Sequence, residues 1–206
     1  MKYLQSVFAQ FDLILMFILG VSLLLVVGDI IYAADITVGH STVFQPANKD
    51  DLVRKLDEGG YYHAYSDTAC GDINDWDTHL VTDMSDLFFG KVLFDCDISN
   101  WDVSNVSTMK GMFVGAVRFN HDIGGWDVRN VTDMSSMFEG AIYFNQDISH
   151  WHVSKVKTMN AMFFEARSFN VDLSRWDIRQ GTDMDYMFLD AVNFNQDLNW
   201  DGSNIG

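Results

Sequence analysis

Proline is nearly missing from this chain, with one residue in 206 against a usual share of about 5%. Nothing in it therefore resembles a proline-rich linker. Basic residues are scarce as well: 13 Lys and Arg stand against 29 Asp and Glu, for a net charge of −16 at pH 7. Binding a phosphate backbone or an anionic lipid surface needs a basic patch that releases counterions, so nucleic acid is excluded as an expected partner. Signatures of chemistry are also lacking. The sequence contains no HExxH, GxSxG or GxxxxGK[ST], and no GxGxxG after a strand, which leaves acyl transfer and nucleotide chemistry without support. His40, His63, His79, His121, His150 and His152 lack Cys/His ligand spacing, so no zinc site is expected. No catalytic residue and no cofactor is assigned, and the chain reads as a non-enzyme.

What is present argues for a folded body, because 48% of the residues are hydrophobic and 14% aromatic, far from the composition of a disordered chain. The first 34 residues differ from the rest. An uncharged apolar run from Leu13 to Val27 is bounded by Asp12 and Asp29. A helix of that length rises about 22 Å, short of the ~30 Å hydrocarbon core, and it fits the apolar region of a signal peptide with Ala33 and Ala34 at the cleavage site. If Ile30 to Ala34 join the helix and Asp29 snorkels, the same segment becomes a retained transmembrane anchor. Residues 1–34 are thus expected to be a signal peptide or a membrane anchor, and the protein secreted, displayed at the cell surface, or held in a membrane by one N-terminal helix.

From there on the sequence repeats. Trp76, Trp101, Trp126, Trp151 and Trp176 fall 25 residues apart with no insertion, the mark of a repeat architecture. Around Trp126 the frame runs Asp122, Ile123, Trp126, Asp127, Val128, Val131, Thr132, Asp133, Met134, Met137, Phe138, Ala141, Phe144 and Asn145. The alternation Trp126-Asp127-Val128 predicts a short strand. Met134, Met137, Phe138 and Ala141 at i, i+3, i+4 and i+7 predict a short amphipathic helix, with Asp133 as its N-cap. A single copy cannot bury its own apolar face, so the copies are expected to stack, each core residue above its equivalent and each strand pairing in parallel with the next. The columns Met84/109/134/159/184, Phe88/113/138/163/188 and Phe94/119/144/169/194 account for the aromatic and methionine content as core, and Asn120, Asn145, Asn170 and Asn195 form a polar corner column. The predicted fold class is an α/β repeat solenoid of short parallel strands and short helices, preceded by one hydrophobic helix. Residues 35–71 form an N-terminal cap with a helix near 48–58, residues 72–198 five repeats, and residues 199–206 a short tail.

The cap helix is marked by Asn48, acids in its first turn, bases later, and Gly59-Gly60 as its stop, so its dipole is complemented at both ends. Cys70 and Cys96 lie almost one period apart. They fall on neighbouring copies, close enough for a disulfide in an oxidising compartment, or they are two unpaired core thiols. The last copy has no cap of its own and is an open edge for the tail, a second copy or a partner.

The frame DIS-x-W-DVSNVTDM-SSMF-x-x-A-x-x-FNQ stands nearly whole from Asp122 to Gln146, and it resembles the BspA-like leucine-rich-repeat surface proteins over about Ile73 to Asp197. The resemblance implies a right-handed, leucine-rich-repeat-like coil on an exported or surface-displayed protein, with adhesion to host or matrix proteins in some members. It carries over no catalytic residues. This chain departs from the frame at His152, at Cys96, and at Gly181, where a core valine is missing. The expected outward face of the strands carries Asp77, Asp102, Asp127, His152 and Asp177, with Arg129 and Arg179 two positions on. Three readings of that face stand open: a recognition surface for a protein or glycan, a weak calcium ladder of stacked carboxylates, or a solvated face on which the arginines balance the aspartates. Two functions are expected accordingly: a protein-interaction or adhesion module, or a membrane-anchored structural subunit whose repeats form an extramembrane platform.

Overall fold

The computed structural model describes residues 35–38, 41–63, 67–179, 181–198 and 200. The expected leader or anchor at 1–34 and the end of the tail lie outside the described residues. Among the described residues no helix is long and apolar enough to cross a membrane. The described chain opens with two antiparallel strands, β1 (Asp35–Val38) and β2 (Ser41–Phe44), with Asp35 opposite Phe44 and Val38 opposite Ser41. Helix α1 (Lys49–Glu58) follows, because the Asn48 side chain accepts the Asp51 N–H at 3.0 Å, Asp50 and Asp51 occupy the first turn and Lys55 the last, an arrangement that satisfies the free N–H groups and complements the dipole. It ends where Gly60 turns to a φ of 69°, which a glycine adopts without a Cβ penalty. Leu52 and Leu56 are fully buried. Lys49 bonds Ser85 at 2.7 Å, the Asp77 N–H donates to the Phe44 carbonyl at 3.0 Å, and the Phe44 ring meets Trp76 edge-on at 4.9 Å. The strands and helix therefore lie on the first repeat and shield its apolar end.

Beyond the cap, each 25-residue copy is one rung of a stack. Parallel bridges join Asp83, Thr108, Asp133, Thr158 and Asp183 in order. From each of these points the backbone runs alongside the next rung. Met109, Gly111, Phe113 and Gly115 donate to the carbonyls of Asp133, Ser135, Met137 and Glu139 at 2.7–2.9 Å, and Met134, Ser136, Phe138 and Gly140 repeat the pattern one rung on. The intervening N–H groups of Met112, Val114 and Ala116 turn back to carbonyls three residues earlier.

Here the structure corrects the sequence reading twice. The segment from Met134 to Ala141 is a series of turns rather than an amphipathic helix, and no helix occurs at this place in any described rung. The reason is that alternate N–H groups are committed to the neighbouring rung, which a helix would retain for itself. Left-handed residues break the spiral at two columns, Asp86, Gly111, Ser136, Ala161 and Tyr186 in one, and Gly90, Gly115, Gly140, Glu165 and Asp190 in the other. Spacings of three and four still turn Met134, Met137, Phe138 and Ala141 inward, where all are fully buried. The expected strand at Trp126-Asp127-Val128 likewise carries no ladder; the parallel pairing sits at the Asp/Thr column before the methionines. The predicted N-cap, Asp133, instead accepts the Ser135 N–H two residues on, at 2.9 Å.

Packing follows the columns. Phe113 lies flat over Phe138 at 5.5 Å between centroids, Phe138 over Phe163 at 5.6 Å, and the Phe119, Phe144 and Phe169 rings stack at 6.1 Å. Within a rung the two columns touch, as for Phe138 and Phe144 at 4.0 Å. Four buried indoles are satisfied by the rung before them, Trp101, Trp126, Trp151 and Trp176 donating Nε1–H to the carbonyls of Ile73, Ile98, Ile123 and Ile148, while Trp76 donates to the Asp72 carboxylate. Trp200, one residue early in the period, still reaches the Leu173 carbonyl at 3.1 Å.

The asparagine column is a ladder too, with Asn145, Asn170 and Asn195 each donating backbone N–H to the side-chain oxygen of the Asn before it. In the last rung the missing valine is replaced in a specific way. Gly181 takes a φ of 82°, and Thr182 slips one place into the buried column, bonding the Val156 carbonyl at 3.3 Å.

Cys70 and Cys96 form a disulfide, with their Cα atoms 5.5 Å apart. It ties the cap to the first rung and closes 26 residues of sequence, for which loop-closure entropy gives about 3.5 kcal/mol at 25 °C. The double variant Cys70→Ser/Cys96→Ser is expected to unfold at clearly lower urea concentration than the oxidised chain, and an unchanged midpoint would show that the link adds no stability. A second outcome concerns the backbone. Glu165 sits in a left-handed column that the first three rungs fill with glycine, at a cost of roughly 1 kcal/mol for a side chain. Glu165→Gly is therefore expected to raise the thermal midpoint, and a fall would contradict the assigned strain.

Candidate functional site

The face singled out from the sequence is a column of corners. Asp127 lies between the buried Trp126 and Val128 and is itself half-buried, while Asp102, His152, Asp177, Arg129 and Arg179 are exposed. Asp77 is partly covered by the cap, bonded by Gln45 at 2.8 Å and by the His79 ring at 2.6 Å. Asp102 accepts the Ser104 N–H at 2.9 Å, and Asp127 accepts the Arg129 N–H at 3.2 Å together with a two-pronged guanidinium contact at 2.8 and 2.6 Å. That guanidinium holds the Asp127 carboxyl below the usual range, with burial opposing it in part. Two of the seven residues thus pair with each other, and the column as a whole is spread one residue per rung. Among the described residues no group of three or more His, Cys, Asp and Glu is placed to hold a metal ion.

The same turn chemistry recurs at two further corners. Asp97, Asp122, Asp147 and Asp172 each accept the N–H two residues on at 2.8–2.9 Å, and so do Asp83, Asp133 and Asp183 at 2.7–3.0 Å. An aspartate at such a place fixes the turn with its own side chain. The hydroxyl and N–H of Ser149 pull the Asp147 carboxyl below its ordinary value, and those of Ser174 do the same for Asp172. At Asp83 burial pushes the carboxyl up, but Ser85 and Lys49 outweigh it and the net direction is down. Asn105 and Asn130, which also begin glycosylation sequons, spend their amide N–H on the carbonyls of His79 and Ser104.

One place on this side of the stack is concave and basic. A cavity of about 370 Å³ between the fourth and fifth rungs is lined by Ser154, Lys155, Lys157, Arg179, Gly181 and Thr182 among others. Only Arg179 of its three cations belongs to the face read from the sequence. Lys155 and Lys157 escaped notice because their signal is a departure within a polar column: the same positions hold Asn105 and Asn130, and Ser107 and Thr132, on earlier rungs.

The repeat frame also decides what the chain is related to. The family described as "Mycoplasma protein of unknown function, DUF285" matches twice, over residues 60–153 and 121–206. The chain belongs to the DUF285 family. No curated protein and no solved structure matches it. The two DUF285 matches overlap across the third rung, as a pattern of several 25-residue rungs does when it is laid twice along a longer array.

The corner aspartates carry a pH signature. The folded carboxyls of Asp83, Asp127, Asp147 and Asp172 lie below the unfolded value of about 3.9, so the stability these four add is present above that value and is lost as pH falls through the lower folded ones. The melting temperature is expected to decline steeply below about pH 4, with Asp147→Asn/Asp172→Asn flattening that decline. An equally steep acid transition in the double variant would remove the corners from the account.

Proposed function

We propose that this DUF285 chain is an exported or surface-displayed protein of the BspA-like kind, a right-handed, leucine-rich-repeat-like solenoid that works as a non-enzymatic protein-interaction or adhesion module. The observation that carries the reading is an apolar ridge on the turn side of the stack. Phe89, Val92, Leu93, Tyr143, Leu189 and Val192 are exposed there, Tyr143 at 58% and Val192 at 72%, beside columns whose phenylalanines are fully buried. Stacking does not need these side chains, and exposed aromatic and aliphatic groups gathered on one side mark a surface for another protein. The reading is tested by surface plasmon resonance of the purified chain over immobilised matrix proteins and whole-cell surfaces. Saturable binding is expected, and Phe89→Ser/Tyr143→Ser is expected to weaken it by roughly 30-fold, the weight of an aromatic anchor, with the melting temperature held. Absent binding, or binding indifferent to both substitutions, overturns it.

A second reading, a membrane-anchored structural subunit with the stack as its platform, is favoured by the partial exposure of core-column residues on the fifth rung. Met184, Phe188 and Phe194 are only partly buried, whereas their equivalents inside the stack are fully buried. Retention of the chain in carbonate-washed membranes supports this reading, and release supports the first.

A further inference from the structure

The cavity between the fourth and fifth rungs gathers positive charge in a chain of net charge −16. Lys155 and Lys157 stand two residues apart on one rung, and Arg179 lies on the next, about 4.8 Å along the stack. None of the three has a carboxylate within ion-pair distance among the described residues, as is also true of Lys55, Lys91, Lys110, Arg118, Arg167 and Arg175, whereas Lys49, Arg54, Arg129 and His121 each have at least one. Asp177 and Asp183 are the acids nearest in sequence, and Asp183 spends one carboxylate oxygen on the Asp185 N–H. Lys155 uses one N–H on Asn130 at 2.8 Å, which leaves its other donors, those of Lys157 and the guanidinium fork of Arg179 to face a ligand. The Thr132 and Thr182 hydroxyls are committed to backbone carbonyls. The Ser154 hydroxyl makes no bond among the described residues.

Nor does the fold need cations at these positions. The second and third rungs place Asn at the position of Lys155 and Ser or Thr at that of Lys157 and stack equally well, and the fourth places Ser154 at that of Arg179, whose equivalent on the third rung, Arg129, is spent on Asp127. The cavity sits beside the slip at Gly181, where a residue in the left-handed region lets Thr182 replace the missing valine.

We propose that this cavity binds a sulfate or phosphate ester group carried on a small molecule or a single sugar unit. Three cations match a doubly charged oxyanion, and Arg offers two parallel N–H groups to two of its oxygens. A volume of about 370 Å³ exceeds what a bare ion fills and lies at the lower end of small-molecule sites. The assignment goes beyond the interaction reading and stands whether or not the apolar ridge binds a protein.

The test is calorimetric titration of the full chain with glucosamine 6-sulfate, glucose 6-phosphate, inorganic sulfate and inorganic phosphate at matched ionic strength, with glucosamine and glucose as uncharged-group controls. Binding of at least one ester is expected, weakened about tenfold or more in Lys157→Gln/Arg179→Gln, since each charged hydrogen bond lost is worth over 1.4 kcal/mol. Lys110→Gln, outside the cavity, is expected to change nothing. Both substituted cavity residues are exposed, and an unchanged melting temperature confirms that the double variant is folded. Preference for the sulfate or the phosphate ester names the source of the group. No heat with any ester, bare ions binding as well as the esters, or equal binding by the double variant overturns the proposal.

Discussion

Backbone hydrogen bonds between rungs are the constraint on which the molecule depends. At each of the first four rungs four N–H groups, such as those of Met109, Gly111, Phe113 and Gly115, point along the stack to carbonyls 24 residues later. Because they are spent outside the segment, the segment cannot be a helix, and left-handed residues are needed to turn it. Because the register is fixed, the phenylalanines of the two columns land on their equivalents and the indoles of Trp101, Trp126, Trp151 and Trp176 on carbonyls of the preceding rung. A single inserted residue between two tryptophans would break all three ladders together. The chain tolerates a slip only in the last rung, where Gly181 bulges out and Thr182 takes the buried place.

The acidity of the sequence follows from the same constraint. Ten aspartates, Asp77, Asp83, Asp97, Asp102, Asp122, Asp127, Asp133, Asp147, Asp172 and Asp183, each accept the N–H two residues on. A rung that must turn three times without helices needs side chains that fix turns, and aspartate does this at the surface. Much of the charge is therefore corner structure, and the carboxylate column that looks like a site is in large part a set of turns. Against that background a cavity with three cations and an apolar ridge are the features that stacking does not explain.

Much of this was legible beforehand, for identifiable reasons. The tryptophan and phenylalanine columns repeat without insertion, so their stacking was readable from spacing alone, and the 26-residue interval placed Cys70 and Cys96 on adjoining layers, where they are joined. The turn series was misread because spacings of three and four turn Met134, Met137, Phe138 and Ala141 inward equally well from a helix or from two left-handed turns. Residues at positive φ distinguish the two: the recurring Gly90, Gly115 and Gly140 mark one column in the sequence, whereas Ser136 and Ala161 in the other carry no mark. The basic cavity was hidden because it lies beside a one-residue slip and is lined by two lysines whose meaning appears only when each polar column is read down the stack.

Amide hydrogen exchange read residue by residue tests the stacked arrangement most directly. The account predicts slow exchange at Met109, Gly111, Phe113, Gly115, Met134, Ser136, Phe138 and Gly140, which donate to the next rung. It predicts fast exchange at Met184, Tyr186, Phe188 and Asp190, the same four positions of the last rung, which have no acceptor among the described residues. Equal protection of the inner and last rungs, or rapid exchange throughout the inner ones, would contradict it.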